Sequence, residues 1–334
     1  MHRLHRFFHA IIVVLLLGTP LHAAAQAPAA GSGQVWPSKV VRITLPYSSG
    51  AGPAVFMRIM AEKLSQTWGQ QVIVESRPGA SGFIGIEAVK NAVPDGHELL
   101  VVSNAHLTIN PALYRKLPYD PGRDFVPVAT IYRTPFFVTV KSDGPYASVP
   151  VLIAAAKTSP GRLTYGAPYV GSPAHLGAAD LEFRIGARMV LVPYKDQSQI
   201  YASIANGDLD WTLATLGSAL PLLGAGRIRL LAIAAKQRSR SAPDVPTVEE
   251  AGGPTGYEVD SWLALLAPRG IPRERVQRIN ADVNGLLSNP GILGRMRAFG
   301  FEPLSSTPEQ LGELIRADTL TYGDLVRRTG ASAD

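Results

Sequence analysis

Between Pro46 and Pro53 the chain reads Pro-Tyr-Ser-Ser-Gly-Ala-Gly-Pro, the local stretch whose residue types speak most directly of chemistry. Tyr47, Ser48, Ser49, Gly50 and Ala51 lead into a helical pattern with Pro53 in its first turn, so the backbone N–H groups at the helix start lack partners within the helix. Such a start carries a partial positive charge and can bind a carboxylate or phosphate without a charged side chain. Gly50 and Gly52 allow close backbone approach, and Ser48 and Ser49 can add hydroxyl donors. A tight turn between strand and helix with no ligand explains these residues equally well. A dinucleotide fingerprint fits less well, because Val55 stands where G-x-G-x-x-G requires its third glycine, and Glu75 alone is weak support for a ribose site.

Hydroxyl and imidazole groups recur in two further runs. One holds Ser103, Asn104, His106 and Thr108; the other holds Tyr169, Gly171, Ser172 and His175. Both follow strand-like segments, where a loop can open on a cleft. A hydrolase using Ser103 or Ser172 with His106 or His175 is the competing reading, but there is no G-x-S-x-G elbow, no S-x-x-K and no H-E-x-x-H. Gly79-Ala-Ser-Gly82 resembles an elbow without its spacing. His97, His106 and His175 show no i, i+4 pairing and cysteine is absent, so neither a metal nor another cofactor is expected. Asp208 and Asp210 flank a strand start before Trp211 and Thr212. They can serve as an acid–base pair, although a solvated turn followed by a strand-edge acid is the commoner outcome. Tyr194-Lys195 reads equally as a strand-end surface pair or as the rim of a cleft.

The elements that must position these groups follow from hydrophobic periodicity. Val40–Leu45 reads as a strand, Val55–Trp68 as a helix and Val72–Glu75 as a strand, a βαβ unit with a parallel sheet. Ala80–Asn91 and Val149–Lys157 read as helices. Leu99–Ser103, Phe136–Lys141, Leu163–Ala167, Met189–Pro193, Leu209–Leu213 and Arg229–Ala234 read as strands. Arg273–Leu287, Pro290–Phe299 and Pro308–Thr329 are amphipathic helices, the last opened by Thr307 and Pro308, and its end is expected to pack on the first lobe. The class is α/β.

The first residues are of another kind. Arg3 and Arg6 precede the apolar run Ile11–Leu17, and Ala23-Ala-Ala25 offers a cleavage site, so residues 1–25 are predicted to be a secretory signal peptide. Its removal takes four of seven histidines and two arginines, and the formal charge falls from +6 to +4. No later run approaches the roughly 20 apolar residues of a membrane span. The mature chain is therefore expected to be soluble, exported to the periplasm and not membrane-anchored. Charged residues make up 17% of the chain, below the usual value of about 25%, and argue against disorder and against nucleic-acid binding. The length exceeds what a single core usually serves, which favours two lobes.

Several segments, taken in order, resemble the Bug receptor family, the extracytoplasmic substrate-binding proteins of tripartite tricarboxylate transporters. They include Trp36-Pro-Ser-Lys39, Val41-Arg-Ile-Thr-Leu-Pro46, Gln71-Val-Ile-Val-Glu-Ser-Arg-Pro-Gly-Ala80, Ile109-Asn-Pro-Ala-Leu-Tyr114, Leu117-Pro-Tyr-Asp-Pro121, Val192-Pro-Tyr-Lys195, Pro243-Asp-Val-Pro-Thr247 and Ser261-Trp262. The resemblance implies a two-lobe periplasmic binding protein fold, type II-like, with two interlobe crossovers and a ligand cleft. The first lobe would combine residues 36–138 with 261–330, and the second would be residues 139–260. It implies a monomeric receptor for a small carboxylate that works with membrane permease subunits of such a transporter, or else a ligand sensor feeding a signalling partner. The implied cleft residues are Tyr47 to Ala54, Ser103 to Thr108, Tyr169 to His175, and Asp210, Trp211 and Thr212 with the two residues after them. Ala54 and Ala214 stand where many relatives carry an acid. The cleft is therefore expected to take a plain or aromatic carboxylic acid rather than a ligand with an amine, and Asp at position 54 is expected to weaken binding by like-charge repulsion.

Overall fold

The computed structural model describes residues 36–194 and 197–333; the expected signal peptide lies outside these residues, as does Lys195. The first sheet opens with β1 (Val41–Leu45), α1 (Gly52–Trp68), β2 (Val72–Ser76), α2 (Phe83–Lys90) and β3 (Glu98–Ser103). A π-helical turn at Ala105–Ile109 leads into the single-turn helices α3 (Asn110–Leu113) and α4 (Pro121–Asp124), then into the long β4 (Phe125–Lys141). Next come α5 (Val149–Thr158), β5 (Thr164–Ala167), α6 (Pro173–Ile185), β6 (Val190–Pro193), α7 (Gln197–Asn206), β7 (Trp211–Thr215), α8 (Leu216–Gly224) and β8 (Ile228–Ile233). The chain returns through β9 (Asp260–Pro268), α9 (Arg273–Leu287), α10 (Pro290–Phe299), β10 (Glu302–Pro303) and α11 (Pro308–Thr329).

The strands follow one path, β2-β1-β3-β9-β4-β7-β5-β6, with β8 and β10 each pairing with β4. β1 runs parallel to β2 and β3, while β9 is antiparallel to both β3 and β4. β4 belongs to two sheets. Phe125 to Pro135 pair with β9, and Phe136 to Lys141 pair with β7 and β8. Pro135 sits where the pairing changes, a place that suits a residue with no N–H to give to a ladder. The adjoining Phe136 N–H already bonds to the carbonyl of Val259, just ahead of β9 (3.1 Å).

Each sheet has its own apolar packing. Ile43, Leu45, Met57, Met60 and Leu64 pack with Ile279, Val283 and Leu287 of α9 around the first. Val138, Val140, Leu152, Tyr165, Trp211 and Leu213 pack around the second. α11 is fixed at its start by a capping box between Thr307 and Gln310. Its Tyr322, Leu325 and Val326 pack on Ala105 and Ile109, and also on Leu176 of α6. The final helix thus touches elements of both sheets rather than the first alone. No helix among the described residues is long and apolar enough to cross a membrane.

Candidate functional site

A cavity of about 760 Å³ opens where several helix starts converge. The first sheet contributes Tyr47, Gly50, Gly52 and Pro53 at the start of α1, with Ser103 at the end of β3. The second contributes Tyr169, Ser172, Pro173 and Ala174 at the start of α6, Gln197 at the start of α7, and Thr215, Gly217 and Ser218 at the start of α8. Tyr132, Thr134 and Phe136 of β4, Ser261 to Leu263 of β9, and Ala298, Phe299 and Phe301 complete the wall. None of these residues carries a formal charge. The N-cap residues of α1 and α8, Ala51 and Thr215, make no side-chain cap hydrogen bond, so both helix starts keep backbone donors for another acceptor. Ser172, by contrast, caps α6 by accepting from His175 N–H (3.2 Å).

The first turn places its residues unevenly. Tyr47 and Gly50 reach the cavity, and the Tyr47 hydroxyl accepts from Ser103 N–H at 2.8 Å. Burial pushes the Tyr47 phenol well above its usual range, so it stays protonated. Ser48 and Ser49 are exposed, and their carbonyls are taken by Ala51 N–H (3.0 Å) and Arg58 Nη1 (2.7 Å). Ala51 holds the N-cap position itself. Ala54 is wholly buried in the core of the first sheet, so Asp at that position would place a carboxylate among apolar side chains instead of repelling a ligand.

In the second run, Ser103 lines the cavity while Asn104 and Thr108 lie fully buried beneath it. Asn104 Oδ1 accepts from Ser261 Oγ (3.1 Å), its Nδ2 donates to the Asp260 carbonyl (3.4 Å), and Thr108 Oγ1 donates to the Asn104 carbonyl (2.8 Å). These two residues therefore brace β9 against β3. His106 Nδ1 lies 3.1 Å from Ser103 Oγ, and its ring packs edge-on to Tyr47. Desolvation pushes His106 down to about 4, which leaves a neutral, weak base without a carboxylate orienting it among the described residues. The other hydroxyl–imidazole pair is a cap: Ser172 Oγ binds a backbone N–H, and His175 Nδ1 accepts from Gly171 N–H (2.9 Å). No group of three His, Cys, Asp or Glu among the described residues is placed to hold a metal.

The fourth run lies elsewhere. Asp210 accepts from Thr164 N–H (2.7 Å), Thr164 Oγ1 (2.8 Å) and Tyr146 OH (3.0 Å), which ties the start of β7 to that of β5. Trp211 is fully buried against Tyr165, and Thr212 Oγ1 donates to the Gly166 carbonyl (2.8 Å). β7 starts at Trp211, two residues later than its sequence pattern suggests, so these groups sit at its amino end. Ligands in α/β sheets bind beyond the carboxyl ends of strands, and there the cavity meets Thr215, Gly217 and Ser218. Asp210→Ala is accordingly expected to lower stability by about 1 kcal/mol, through the half-buried partners it leaves unpaired, with ligand affinity unchanged. Denaturant melts and calorimetric titration of one variant test both halves.

Sequence reasoning also passed over Tyr132, Thr134, Phe136, Gln197, Phe299 and Phe301. Gln197 and Thr215 carried a usable signal, each standing where a strand-like run gives way to a helical one. The aromatic residues come from segments far apart in the chain, and no local pattern joins them.

The comparisons fit this geometry. Residues 56–331 match the family described as "Tripartite tricarboxylate transporter family receptor". The chain is 29% identical to Protein BugT of Bordetella pertussis over 310 residues, covering 92% of this chain and 95% of that protein. It resembles the solved structure of R. palustris Rpa4515 with adipate (32% identity, TM-score 0.78, covering 89% of this chain and 99% of the other). It also resembles MatC from Rhodopseudomonas palustris with bound malate (26% identity, TM-score 0.72, covering 87% and 100%). With its mixed α/β sheet, its crossing strands and a match spanning most of its length, this chain belongs to the tripartite tricarboxylate transporter receptor family, the Bug receptors, and has their periplasmic binding protein fold.

Proposed function

We propose that this chain is a periplasmic solute receptor, exported by its signal peptide, that binds a small carboxylate as a monomer and delivers it to the permease subunits of a tripartite tricarboxylate transporter. The observation that carries the reading is a charge-free cavity onto which two uncapped helix starts open, α1 beside the first sheet and α8 beside the second. Each helix start stabilises an anion by roughly 0.3–1 kcal/mol at an exposed site and more where water is excluded. Two such starts, on elements of different sheets, give an anion a reason to draw them together. The lobes would be residues 36–138 with 261–330 and residues 139–260, hinged where β4 and β9 cross. The related adipate and malate structures support a carboxylate as the ligand. Within the cavity, Tyr47, Gly50, Ser103, Tyr169 and Ser172 remain the proposed binding residues, joined by Thr215, Gly217 and Ser218.

On this reading no chemical step is assigned to the Ser103–His106 pair. A thermal-shift screen over mono-, di- and tricarboxylates tests the proposal. A true ligand at a hundred times its dissociation constant should add about 2.7 kcal/mol of stability. If no acid raises the melting temperature, and ester hydrolysis appears that is lost on Ser103→Ala, the hydrolase reading replaces this one.

A further inference from the structure

We infer that the ligand is an aromatic carboxylate, its ring held by a stacked aromatic wall and one of its oxygens held by Tyr132 and Thr134. This rests on the receptor reading above and narrows it to a substrate class. One side of the cavity is built from rings. Tyr132 and Phe301 stack with centroids 3.8 Å apart and planes 7° from parallel, and Phe299 lies 5.4 Å from Phe301 at 15°. Phe56, wholly buried, stands edge-on to all three, at 5.7 Å from Tyr132, 5.7 Å from Phe301 and 6.2 Å from Phe299. The wall is thus fixed before any ligand arrives, and a flat ring can extend such a stack in offset or edge contact.

The polar groups point the same way. The cavity wall has no charged side chain, so every charged group of a di- or tricarboxylate would have to share the two open helix starts and a few neutral donors, whereas a single carboxylate needs only one of them. Several of its hydroxyls are already engaged: Ser261 donates to Asn104 (3.1 Å), Ser218 to the Thr215 carbonyl (3.0 Å), and Ser172 accepts the cap bond of α6. Tyr132 and Thr134 differ. They are only 4% and 6% exposed, both line the cavity, and neither hydroxyl has a hydrogen-bond partner among the described residues. Neither hydroxyl is among the sealed polar atoms of the described residues, so both open on the cavity, where a ligand oxygen can bond to them.

Calorimetric titration of the full chain with benzoate, 4-hydroxybenzoate, adipate and citrate tests this. At least one aromatic acid should bind at least tenfold more tightly than either aliphatic acid. Tyr132→Phe, which keeps the stack, should weaken that acid about tenfold, and Phe299→Leu should weaken it while leaving adipate unaffected; unchanged melting curves would show that both variants fold. Adipate or citrate binding as tightly as the aromatic acids would overturn the inference and leave the carboxylate receptor standing. Full affinity in Tyr132→Phe would remove the assigned role of that hydroxyl and overturn the inference too. Binding of none of the four acids would overturn the inference, while the receptor reading would fall only if the wider carboxylate screen also found no ligand.

Discussion

Gly217→Ala is expected to reduce carboxylate affinity by about a hundredfold while barely changing the melting temperature of the unliganded protein. A Cβ on Gly217 would lie 2.1 Å from the carbonyl oxygen of Phe299 and 2.8 Å from its carbon. The approach is mutual, since a Cβ on Gly300 would meet Gly217 N at 2.7 Å. Backbone therefore lies against backbone where the start of α8 meets the end of α10, and no side chain can rotate away to make room. α8 follows β7 of the second sheet, whereas α10 packs on α1 beside the first. A methyl group here has to push those two elements apart. Overpacking costs about 1–3 kcal/mol, and a hundredfold in affinity corresponds to about 2.7 kcal/mol. On the proposed reading the two sheets close on a ligand and this approach belongs to the closed form, so that cost falls on binding. Gly224→Ala is the control in the same helix, because a Cβ there meets nothing within 4 Å. Titration of both variants with a ligand of the wild type decides the matter, and equal affinities would remove closure at this seam.

The contrast between elements that sequence makes legible and those it conceals has a physical basis. α9, α10 and α11 have the bounds read from periodicity, because their ends are written locally. Asn289 accepts from Gly291 and Ile292 ahead of α10, Thr307 boxes with Gln310 ahead of α11, and left-handed Gly300 and Gly330 close the two helices. β4 is concealed in its first half. Phe125 to Pro135 contain two prolines and two register shifts against β9, and burial on both faces erases alternation. The candidate site divides in the same way. The α1 turn is visible as a glycine-rich junction. The opposite side depends on where β7 begins, and a two-residue error moves the expected contacts from its carboxyl end to its amino end. The ring wall draws on positions 56, 132, 299 and 301, which only the tertiary fold brings together.

Asp260→Asn is expected to stabilise the protein by about 2 kcal/mol near pH 7.5 and to have almost no effect near pH 4. Asp260 opens β9, and its carbonyl receives Tyr322 OH (3.2 Å) and Asn104 Nδ2 (3.4 Å). It lines a second hollow of about 690 Å³, together with Asp318 and Tyr322 of α11 and the charged residues Arg133 and Glu258. Loss of water pushes Asp260 up to about 6, the negative charges of Asp318, Glu258 and Glu302 push the same way, and Arg133 opposes them. The help from Arg133 is shared, because its Nε lies 3.2 Å from Glu302. In the unfolded chain Asp260 loses its proton in the ordinary carboxylate range, so between about pH 4 and 6 the folded state binds more protons. Stability from this group is therefore full below about pH 4, falls as pH rises through 6, and changes little above about 7. A rise from the ordinary range to about 6 corresponds to about 3 kcal/mol, and partial access of water to the hollow reduces this to about 2. Asp318 is shifted upward as well, by desolvation, and its Oδ2 accepts from Trp262 Nε1 at 2.7 Å. Trp262 lines both this hollow and the cavity of about 760 Å³, so the charge state on one side bears on a ring that forms the wall of the other. Denaturant melts of wild type and Asp260→Asn between pH 4 and 8, followed by tryptophan fluorescence, should give stabilities that meet near pH 4, separate as pH rises to about 6 and stay apart by a constant amount above about 7. Parallel curves across that range would place the titration elsewhere.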